Sequence, residues 1–254
     1  MKIAIVGVGR LGSALASLLG ARHELHPVRR GVPIPDNMDV VWLAVPDSAV
    51  CEVGSGVVAG PVVLHSAGVL ENASLRPASP VARLHPLFPI PFGTPPDFRG
   101  AYARIDGDEP AVRVAFTLAA ELGLVALNVP GDPRLYHAAA VLAGNHIPAF
   151  FLQAARVLQA AGVDEALARR ALLPLVAAAL ANVSDAGASA LTGPATRNDV
   201  ATETAHRDGL VAAHLKELLA AYDIGAATAR SLLLDLEVLE NCAEDKARNR
   251  LSLD

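Results

Sequence analysis

The chain of 254 residues is 52% hydrophobic and 19% charged, with a formal net charge of −5, which excludes a disordered chain and argues against a nucleic-acid partner. Its two cysteines, Cys51 and Cys242, have no metal-ligand spacing and form no disulfide framework, so we expect a reducing, cytoplasmic setting and no metal site. The apolar start at residues 1–6 is too short to cross a bilayer, which favours a soluble protein without a membrane partner.

The first half of the chain alternates short β-branched runs with helical stretches. Strands that alternate with helices indicate βαβ units and a mostly parallel, doubly wound sheet. The run at residues 39–45 is continuously apolar, as expected for a strand that is covered on both faces. We predict an α/β domain over residues 1–130. Its strands are predicted at residues 2–6, 24–28, 39–45, 61–65, 101–105 and 125–129, and its helices at residues 11–19 and 109–122.

Beyond Pro130 the pattern becomes helical and rich in alanine and leucine. We predict an all-α domain over residues 131–254, in which Pro148 kinks or divides the first helix. Residues 171–181 predict a buried helix. Together with residues 232–239 they are apolar beyond one helix stripe, which predicts a homodimer joined through this domain. The helices are predicted at residues 135–161, 164–182, 201–222 and 226–248.

A glycine-rich turn follows the first strand directly and opens the first helix. In such a turn Gly7 permits the tight bend, Gly9 lets a pyrophosphate approach the backbone, and Gly12 lets the helix pack on the strand. The helix N-terminus then supplies free N–H groups and a favourable dipole. The alternative is a glycine turn without a ligand. The predicted cofactor-binding residues here are Gly7, Gly9, Arg10, Leu11 and Gly12.

The end of the second strand predicts which dinucleotide is bound. Sites that prefer NAD place an acidic residue there, whereas this chain has Arg29 and Arg30 after Val28. Guanidinium groups match a 2′-phosphate, so the predicted cofactor is NADP; the alternative is two solvated surface charges. The turns after the next strands are predicted to cover the ribose and nicotinamide through Ala44, Val45, Pro46 and Ser66.

Further segments carry a family resemblance. They are His85-Pro86-Leu87-Phe88-Pro89, Tyr136-His137-Ala138-Ala139-Ala140 running to Asn145, and Leu191-Thr192-Gly193-Pro194 followed by Arg197-Asn198-Asp199. With the glycine turn and Val45-Pro46-Asp47, the chain resembles the superfamily of ketopantoate reductase, pyrroline-5-carboxylate reductase and prephenate dehydrogenase. Within it, the chain is similar to Rossmann-like reductases whose C-terminal domain has no assigned function. The resemblance implies a Rossmann domain, a helical dimerisation domain, and an active site between them.

Two departures from the resemblance bear on function. Ketopantoate reductases use a lysine on the first helix after the Rossmann domain as a general acid, whereas Lys2, Lys216 and Lys246 all lie outside that helix. If a carbonyl is reduced, another group must donate the proton. Asn198 stands where the family loop has glycine, and asparagine tolerates the left-handed conformation.

The candidate catalytic residues fall into two sets. His85, which we place in a Pro-rich loop, is either a proton donor or a loop histidine bonded to backbone. His137 and Asn145 lie on one predicted helix, ~12 Å apart along its axis. Asn145 is the better substrate ligand, and His137 orients the cofactor amide or the neighbouring loop; the alternative is that both are satisfied polar residues at a domain interface.

The second set is a polar loop between apolar helices, formed by Thr192, Arg197 and Asp199, with Thr202 and His206 following. Arg197 offers bidentate geometry for a substrate carboxylate, unless it pairs with Asp199 in a structural salt bridge.

The leading functional hypothesis is NADP-dependent reduction of a small keto acid, ketopantoate among them, or of a cyclic imino acid. The alternatives are a prephenate-dehydrogenase-like oxidative decarboxylation, a deazaflavin:NADP oxidoreductase, and a non-catalytic dinucleotide-sensing protein.

Overall fold

The computed structural model describes residues 1–75 and 79–251, with side chains through residue 236 and at residue 238. The side chains of Cys242 and Lys246 lie outside this part. The chain divides into two compact units, Met1–Asn145 and a second that begins at His146. The domain boundary after Pro130 stays a prediction from sequence.

The first unit is built on a single sheet. All neighbouring strands run parallel except β5 and β6, which pair antiparallel. The sheet order is β2-β1-β3-β4-β5-β6-β7, so the mostly parallel, doubly wound sheet is confirmed. The strands are β1 (Lys2–Val6), β2 (Glu24–Val28), β3 (Val40–Leu43), β4 (Val62–His65), β5 (Val81–Pro86), β6 (Tyr102–Gly107) and β7 (Val125–Leu127).

The strand order creates a crevice at one edge of the sheet. After β1 the chain adds β2 on one side and then crosses to add β3 on the other side. In open α/β sheets such a switch point, at the carboxyl ends of the strands, is where ligands bind. Here the edge carries Gly7 at the end of β1 and Ala44 at the end of β3.

Two apolar layers cover the sheet. On one face Trp42 and Leu84 pack with the helices α1 (Arg10–Leu19) and α3 (Glu109–Leu122). On the other face Val41 and Leu43 pack with α2 (Asp47–Ser55). All of β3 is buried, as expected for a continuously apolar strand between two layers.

One strand is missing from the sequence prediction. His85 lies on β5 and not in a Pro-rich loop. The segment Val81–Pro86 carries Arg83 and His85 between apolar residues, and charged residues in a central strand are uncommon. The apolar residues Ala82 and Leu84 face the core, so the alternation is that of a strand with one polar face.

The helices after the sheet are α4 (Pro133–Val141) in the first unit, and α5 (Ile147–Ala160), α6 (Glu165–Ala186), α7 (Val200–Ala212) and α8 (Leu219–Leu251) in the second. A π-helical turn, Leu142–His146, joins α4 to α5 within one helical stretch, Pro133–Ala160, and Pro148 lies in the first turn of α5. The prediction of a single helix over residues 201–222 is wrong. It breaks at His214, whose φ is +58°, before a 3-10 turn at Lys216–Leu218.

Residues 171–181 are not buried within the single chain, contrary to the sequence prediction. Ala168 is the one buried residue of α6, and Leu173 and Leu175 are exposed. Two helical stretches, Pro133–Ala160 and Glu165–Ala190, are long and apolar enough to cross a membrane by length and composition alone.

Candidate functional site

The glycine turn between β1 and α1 is shaped by two close backbone approaches. Gly7 has φ +106°, and a Cβ there would lie 2.5 Å from the Ala44 carbonyl oxygen. A Cβ on Gly12 would lie 1.8 Å from the Gly7 carbonyl oxygen. Gly9 differs from both, because a Cβ there would meet nothing within 4 Å. Gly7 and Gly12 therefore hold the turn together, and Gly9 leaves an open backbone surface that a ligand can approach.

The N-terminus of α1 has no side-chain cap. Gly9 occupies the N-cap position, and the nearby Ser13 hydroxyl donates to the Val8 carbonyl oxygen at 3.1 Å. Free N–H groups and the helix dipole make such an end a ready anion site. Of the other residues predicted here, Leu11 packs against the core, and the Arg10 guanidinium lies 4.2 Å from the centre of the exposed Phe92 ring.

The end of β2 lies directly beside this turn. The Gly7 amide donates to the Val28 carbonyl oxygen at 2.9 Å, and Arg29 and Arg30 follow Val28. Both arginines are exposed, and within the described part of the chain neither forms an ion pair. Two free guanidinium groups therefore stand close to an uncapped helix end.

The turn after β4 is fixed by side chains of the fold. The Ser66 hydroxyl accepts from the Trp42 indole at 3.0 Å and donates to the Leu84 carbonyl oxygen at 2.7 Å, so it is already engaged. Asp47, which sequence reasoning did not single out, accepts from the Gly68 amide at 3.0 Å. In the turn after β3, Ala44 and Val45 are half-buried and Pro46 is exposed.

Strands β4, β5 and β6 carry charged side chains on one face. In the sheet register His65 pairs with Arg83, and Arg83 pairs with Asp106. His85 pairs with Arg104 further along β5. Arg83 is 1% exposed and Arg104 is 5% exposed, which is rare for arginine. This buried polar face adjoins the carboxyl end of β4 and β5.

Two arginines share one carboxylate in this face. Arg104 Nε donates to Asp106 Oδ2 at 2.7 Å, and Arg83 Nε approaches the same oxygen at 3.7 Å. Asn72 Nδ2 donates to Asp106 Oδ1 at 2.6 Å, and Arg83 Nη1 donates to the Gly68 carbonyl oxygen at 3.3 Å. Arg104 Nη1 is buried and has no hydrogen-bond partner among the described residues. The two buried cations thus share the Asp106 carboxylate, and the Asp47 carboxylate also acts on Arg83 through space.

His65 is a structural member of this face. The Ala67 amide donates to His65 Nδ1 at 3.2 Å, which leaves Nε2 to donate to Asn72 Oδ1 at 2.6 Å. The ring is completely buried, and this burial lowers the pKa of His65 to about 4. The side chain is therefore neutral near pH 7.

His85 is paired with Tyr136 from α4. The Tyr136 hydroxyl lies 2.8 Å from His85 Nδ1, and the Arg104 guanidinium lies 5.3 Å from the centre of the Tyr136 ring. Burial and, next, the neighbouring His137 lower the pKa of His85 to about 4, whereas burial raises the pKa of Tyr136. His85 is therefore a neutral imidazole at pH 7, and it lacks the charge of an ordinary histidine acid.

His137 lies next to His85, so the structure brings these two predicted residues together. Their ring centres are 6.0 Å apart. His137 also packs against Gly68, where a Cβ would lie 2.1 Å from His137 Nδ1. That nitrogen is buried and has no hydrogen-bond partner among the described residues. Of the two roles considered for His137, contact with the neighbouring loop is thus realised.

Asn145 lies in the π-helical turn Leu142–His146 and is exposed. This turn follows α4 directly within the helical stretch Pro133–Ala160, so His137 and Asn145 lie on one helical stretch, in which a π-helical turn changes the regular spacing. Single π-helical turns occur frequently at functional sites. Its role as a substrate ligand stays a prediction.

The polar loop of the second unit is organised around Asp199, which caps α7. Its carboxylate accepts from the Thr202 amide at 3.1 Å and the Thr202 hydroxyl at 2.7 Å, and these bonds lower the pKa of Asp199. The salt bridge considered between Arg197 and Asp199 is absent from the described residues, and Arg197 and Thr192 are exposed. Asn198 has φ +54°, as expected for a residue in place of glycine.

On α7, the Nδ1 atom of His206 lies 2.7 Å from the Tyr222 hydroxyl oxygen.

A doubly wound sheet with a glycine turn at its switch point, followed by helices, defines a Rossmann-type protein with a helical second half. Residues 101–229 match the family described as a domain of unknown function, DUF2520. The chain belongs to this family. No curated protein matches its sequence.

Solved structures share the fold. A Bacteroides fragilis protein described as an NADP oxidoreductase is similar with a TM-score of 0.75 and 18% identity, over 91% of this chain and 98% of that chain. An imine reductase from a Pseudomonas species has a TM-score of 0.67 and 17% identity, over 90% and 92%. A 1-pyrroline-5-carboxylate reductase from Streptococcus pyogenes has a TM-score of 0.59 and 17% identity, over 91% and 99%. At these identities the likeness establishes the fold.

Proposed function

We propose that this protein is an NADP-dependent oxidoreductase that reduces a small keto acid or a cyclic imino acid. The observation that carries the proposal is the open backbone at Gly9, at an uncapped helix end beside Arg29 and Arg30. The descriptions of the similar structures as an NADP oxidoreductase, an imine reductase and a pyrroline-5-carboxylate reductase support it.

The residues present fit a phosphorylated dinucleotide. The backbone from Gly7 to Gly12 would hold the pyrophosphate, and Arg29 and Arg30 would hold a 2′-phosphate through charge-assisted hydrogen bonds. The turn at Ala44–Pro46 would line the ribose, since it ends β3 at the same edge. When bound, the nicotinamide supplies the hydride, and the protein orients the substrate and supplies any proton.

The protonation state of His85 bears on the two substrate classes. A cyclic iminium ion already carries its proton, so hydride addition needs no acid. A keto acid such as ketopantoate needs a proton on its oxygen, and a histidine with a pKa of about 4 is not an imidazolium ion at pH 7. His85 by itself therefore does not supply that proton as an imidazolium ion at pH 7.

The remaining proposals concern recognition and assembly. We propose Arg197 as a clamp for a substrate carboxylate, because its guanidinium is exposed and outside any ion pair of the described residues. Asn145 and Thr192 are proposed as further substrate contacts. A homodimer is proposed because the apolar side chains of α6 are exposed in the single chain, and a soluble, cytoplasmic protein is proposed from the cysteine usage.

The first test is cofactor preference. NADPH and NADH are titrated into the wild type and into the Arg29→Ala, Arg30→Ala double variant. Each lost charge-assisted contact costs about 1.5–3 kcal/mol, which is roughly tenfold or more in affinity. The double variant should lose its preference for NADPH, while Arg113→Ala, an exposed arginine on α3, should keep it. Equal affinity for both cofactors in the wild type would refute the NADP assignment.

The second test is turnover. Oxidation of NADPH is followed with a panel of 2-keto acids and cyclic imines. Tight cofactor binding without turnover of any of them would favour the dinucleotide sensor. Turnover of a cyclohexadienyl acid with NADP, or of a deazaflavin, would favour the corresponding alternative enzyme.

A further inference from the structure

The buried polar face of β5 and β6 holds two cations, Arg83 and Arg104, that share one directly paired carboxylate. Asp106 is the acidic side chain that bonds Arg104, and it is also the one that Arg83 approaches. Arg83 Nε and Arg104 Nη1 are both buried without a hydrogen-bond partner among the described residues. Buried charge is costly unless it is paired, so a second negative charge nearby would be stabilised.

The Asp47 carboxylate already acts on Arg83 through space, and the phenol of Tyr136 is a further group on which both arginines act. Its ring lies 5.3 Å from the Arg104 guanidinium, and its hydroxyl lies 2.8 Å from His85 Nδ1. Tyr136 is only 8% exposed, and this burial raises the pKa of its phenol, whereas Arg104 and Arg83 act in the opposite direction and would stabilise a transient phenolate. His85, in contrast, is only half-buried and sits at the carboxyl end of β5.

We propose that Tyr136 and His85 form a proton relay for keto reduction, in which Arg104 and Arg83 stabilise the phenolate that the relay leaves behind. This inference rests on the proposed reductase function and names the proton source for its keto substrates. His85 is the catalytic residue, because it alone would touch the substrate oxygen. Tyr136, Arg104 and Arg83 act through it as positioning residues.

As the hydride forms the new C–H bond, the carbonyl π electrons move to the substrate oxygen. That oxygen takes the proton from Nε2 of the neutral His85 ring, while Nδ1 takes the phenolic proton of Tyr136. His85 thus changes tautomer without ever becoming an imidazolium ion, and the phenolate regains a proton from water after product release. A neutral histidine can act as an acid in this way because the tyrosine replaces its proton.

The direction of the Tyr136–His85 hydrogen bond is tested without any substrate. In the full chain labelled with ¹⁵N-histidine, at pH 7 and with NADPH bound, His85 should be the Nε2–H tautomer with Nδ1 as acceptor. Tyr136→Phe should move the Nδ1 resonance of His85 toward the value of an unbonded nitrogen. Tyr222→Phe removes the equivalent hydroxyl beside His206 and should move only the Nδ1 resonance of His206. An Nδ1–H tautomer at His85 would overturn the relay.

Kinetics test the consequence. With a keto acid, Tyr136→Phe should lower kcat roughly 100-fold, within the usual range for a lost acid–base group, and leave KM within about twofold. Turnover of a cyclic imine should be unchanged, and so should both reactions in Tyr102→Phe, which alters an exposed tyrosine. An unchanged kcat on the keto acid overturns the relay, as does a wild type that reduces only imines. Failure to bind NADPH would instead refute the proposed function.

A second pair of variants covers the case in which Tyr136→Phe does not fold. Arg104→Met removes one cation and keeps the Tyr136–His85 hydrogen bond, and it should lower kcat on the keto acid roughly tenfold or more. Arg104→Lys restores the charge and should recover most of that loss. An equal loss of kcat in both variants would show that Arg104 acts through its packing and not through its charge. That result would remove Arg104 from the relay.

Discussion

Replacing Gly9 by alanine separates cofactor binding from folding. Gly9 has φ −73°, which alanine adopts without strain, and its added Cβ would meet nothing within 4 Å. The methyl group would instead occupy the open space in front of the N-terminus of α1. We expect Gly9→Ala to keep the stability of the wild type within about 1 kcal/mol, since neither strain nor a clash arises.

The effect on affinity follows from the same geometry. A methyl group on the open surface keeps a pyrophosphate from reaching the N–H groups of the first helical turn. Hydrogen bonds to charged groups contribute about 1.5–3 kcal/mol each, so the loss of one predicts roughly a 10- to 100-fold weaker Kd for NADPH, and the loss of two roughly a 100- to 20,000-fold weaker Kd. Gly12→Ala should behave differently, because its Cβ would lie 1.8 Å from the Gly7 carbonyl oxygen and would destabilise the fold itself.

Calorimetric titration of NADPH gives Kd, and thermal unfolding gives Tm for each variant. Gly131→Ala is the matched control, because a Cβ there also meets nothing within 4 Å and the residue lies away from the turn in sequence. It should change neither Kd nor Tm. An unchanged Kd in Gly9→Ala, with an intact fold, would show that the open backbone at Gly9 is not where the cofactor binds.

Three further outcomes are expected. Arg197→Ala should raise KM for a keto acid about tenfold or more, because a carboxylate contact is lost. Tm should stay unchanged because the Arg197 side chain is exposed. An unchanged KM would remove Arg197 from substrate binding. His65 has a folded-state pKa of about 4 against 6.5 when unfolded, so the stability that it contributes is present above pH 6.5 and is lost as the pH falls toward 4. This loss amounts to roughly 2 kcal/mol between pH 7 and pH 5, and His65→Gln should show a correspondingly flatter pH dependence in urea unfolding. Light scattering at micromolar concentration should give the mass of a dimer, and the mass of a single chain would contradict the proposed interface through the C-terminal helices.

The local parts of this architecture were predictable because they are written in short-range patterns. The continuous apolar run of β3 required two covered faces, and the spacing of Gly7, Gly9 and Gly12 required a strand–turn–helix unit. Helix α3, at Glu109–Leu122, matches its predicted bounds for the same reason. Each of these features depends on residues within about one turn or one strand of each other.

The sequence alone did not reveal β5 or the polar face beside it. Arg83, His85, Arg104 and Asp106 are separated along the chain and meet only because β5 and β6 pair antiparallel. Alternating charged and apolar residues at Val81–Pro86 are the local signal for β5, whereas β6 was predicted from its apolar run. Neither signal reveals that the two strands pair.

By itself, the sequence determined the α/β half, the helical half and the glycine turn, because local hydrogen bonding and hydrophobic periodicity fix secondary structure. The family segments were also visible in the sequence, as short runs of residues. The tertiary structure alone decided that Tyr136 reaches His85 across 51 positions of the chain, and that two buried arginines share Asp106. It also decided that His85 is neutral at pH 7, since burial sets that pKa. The physical reason is that desolvation and charge pairing depend on which distant groups are packed together, and this information exists only once the strands and α4 have assembled.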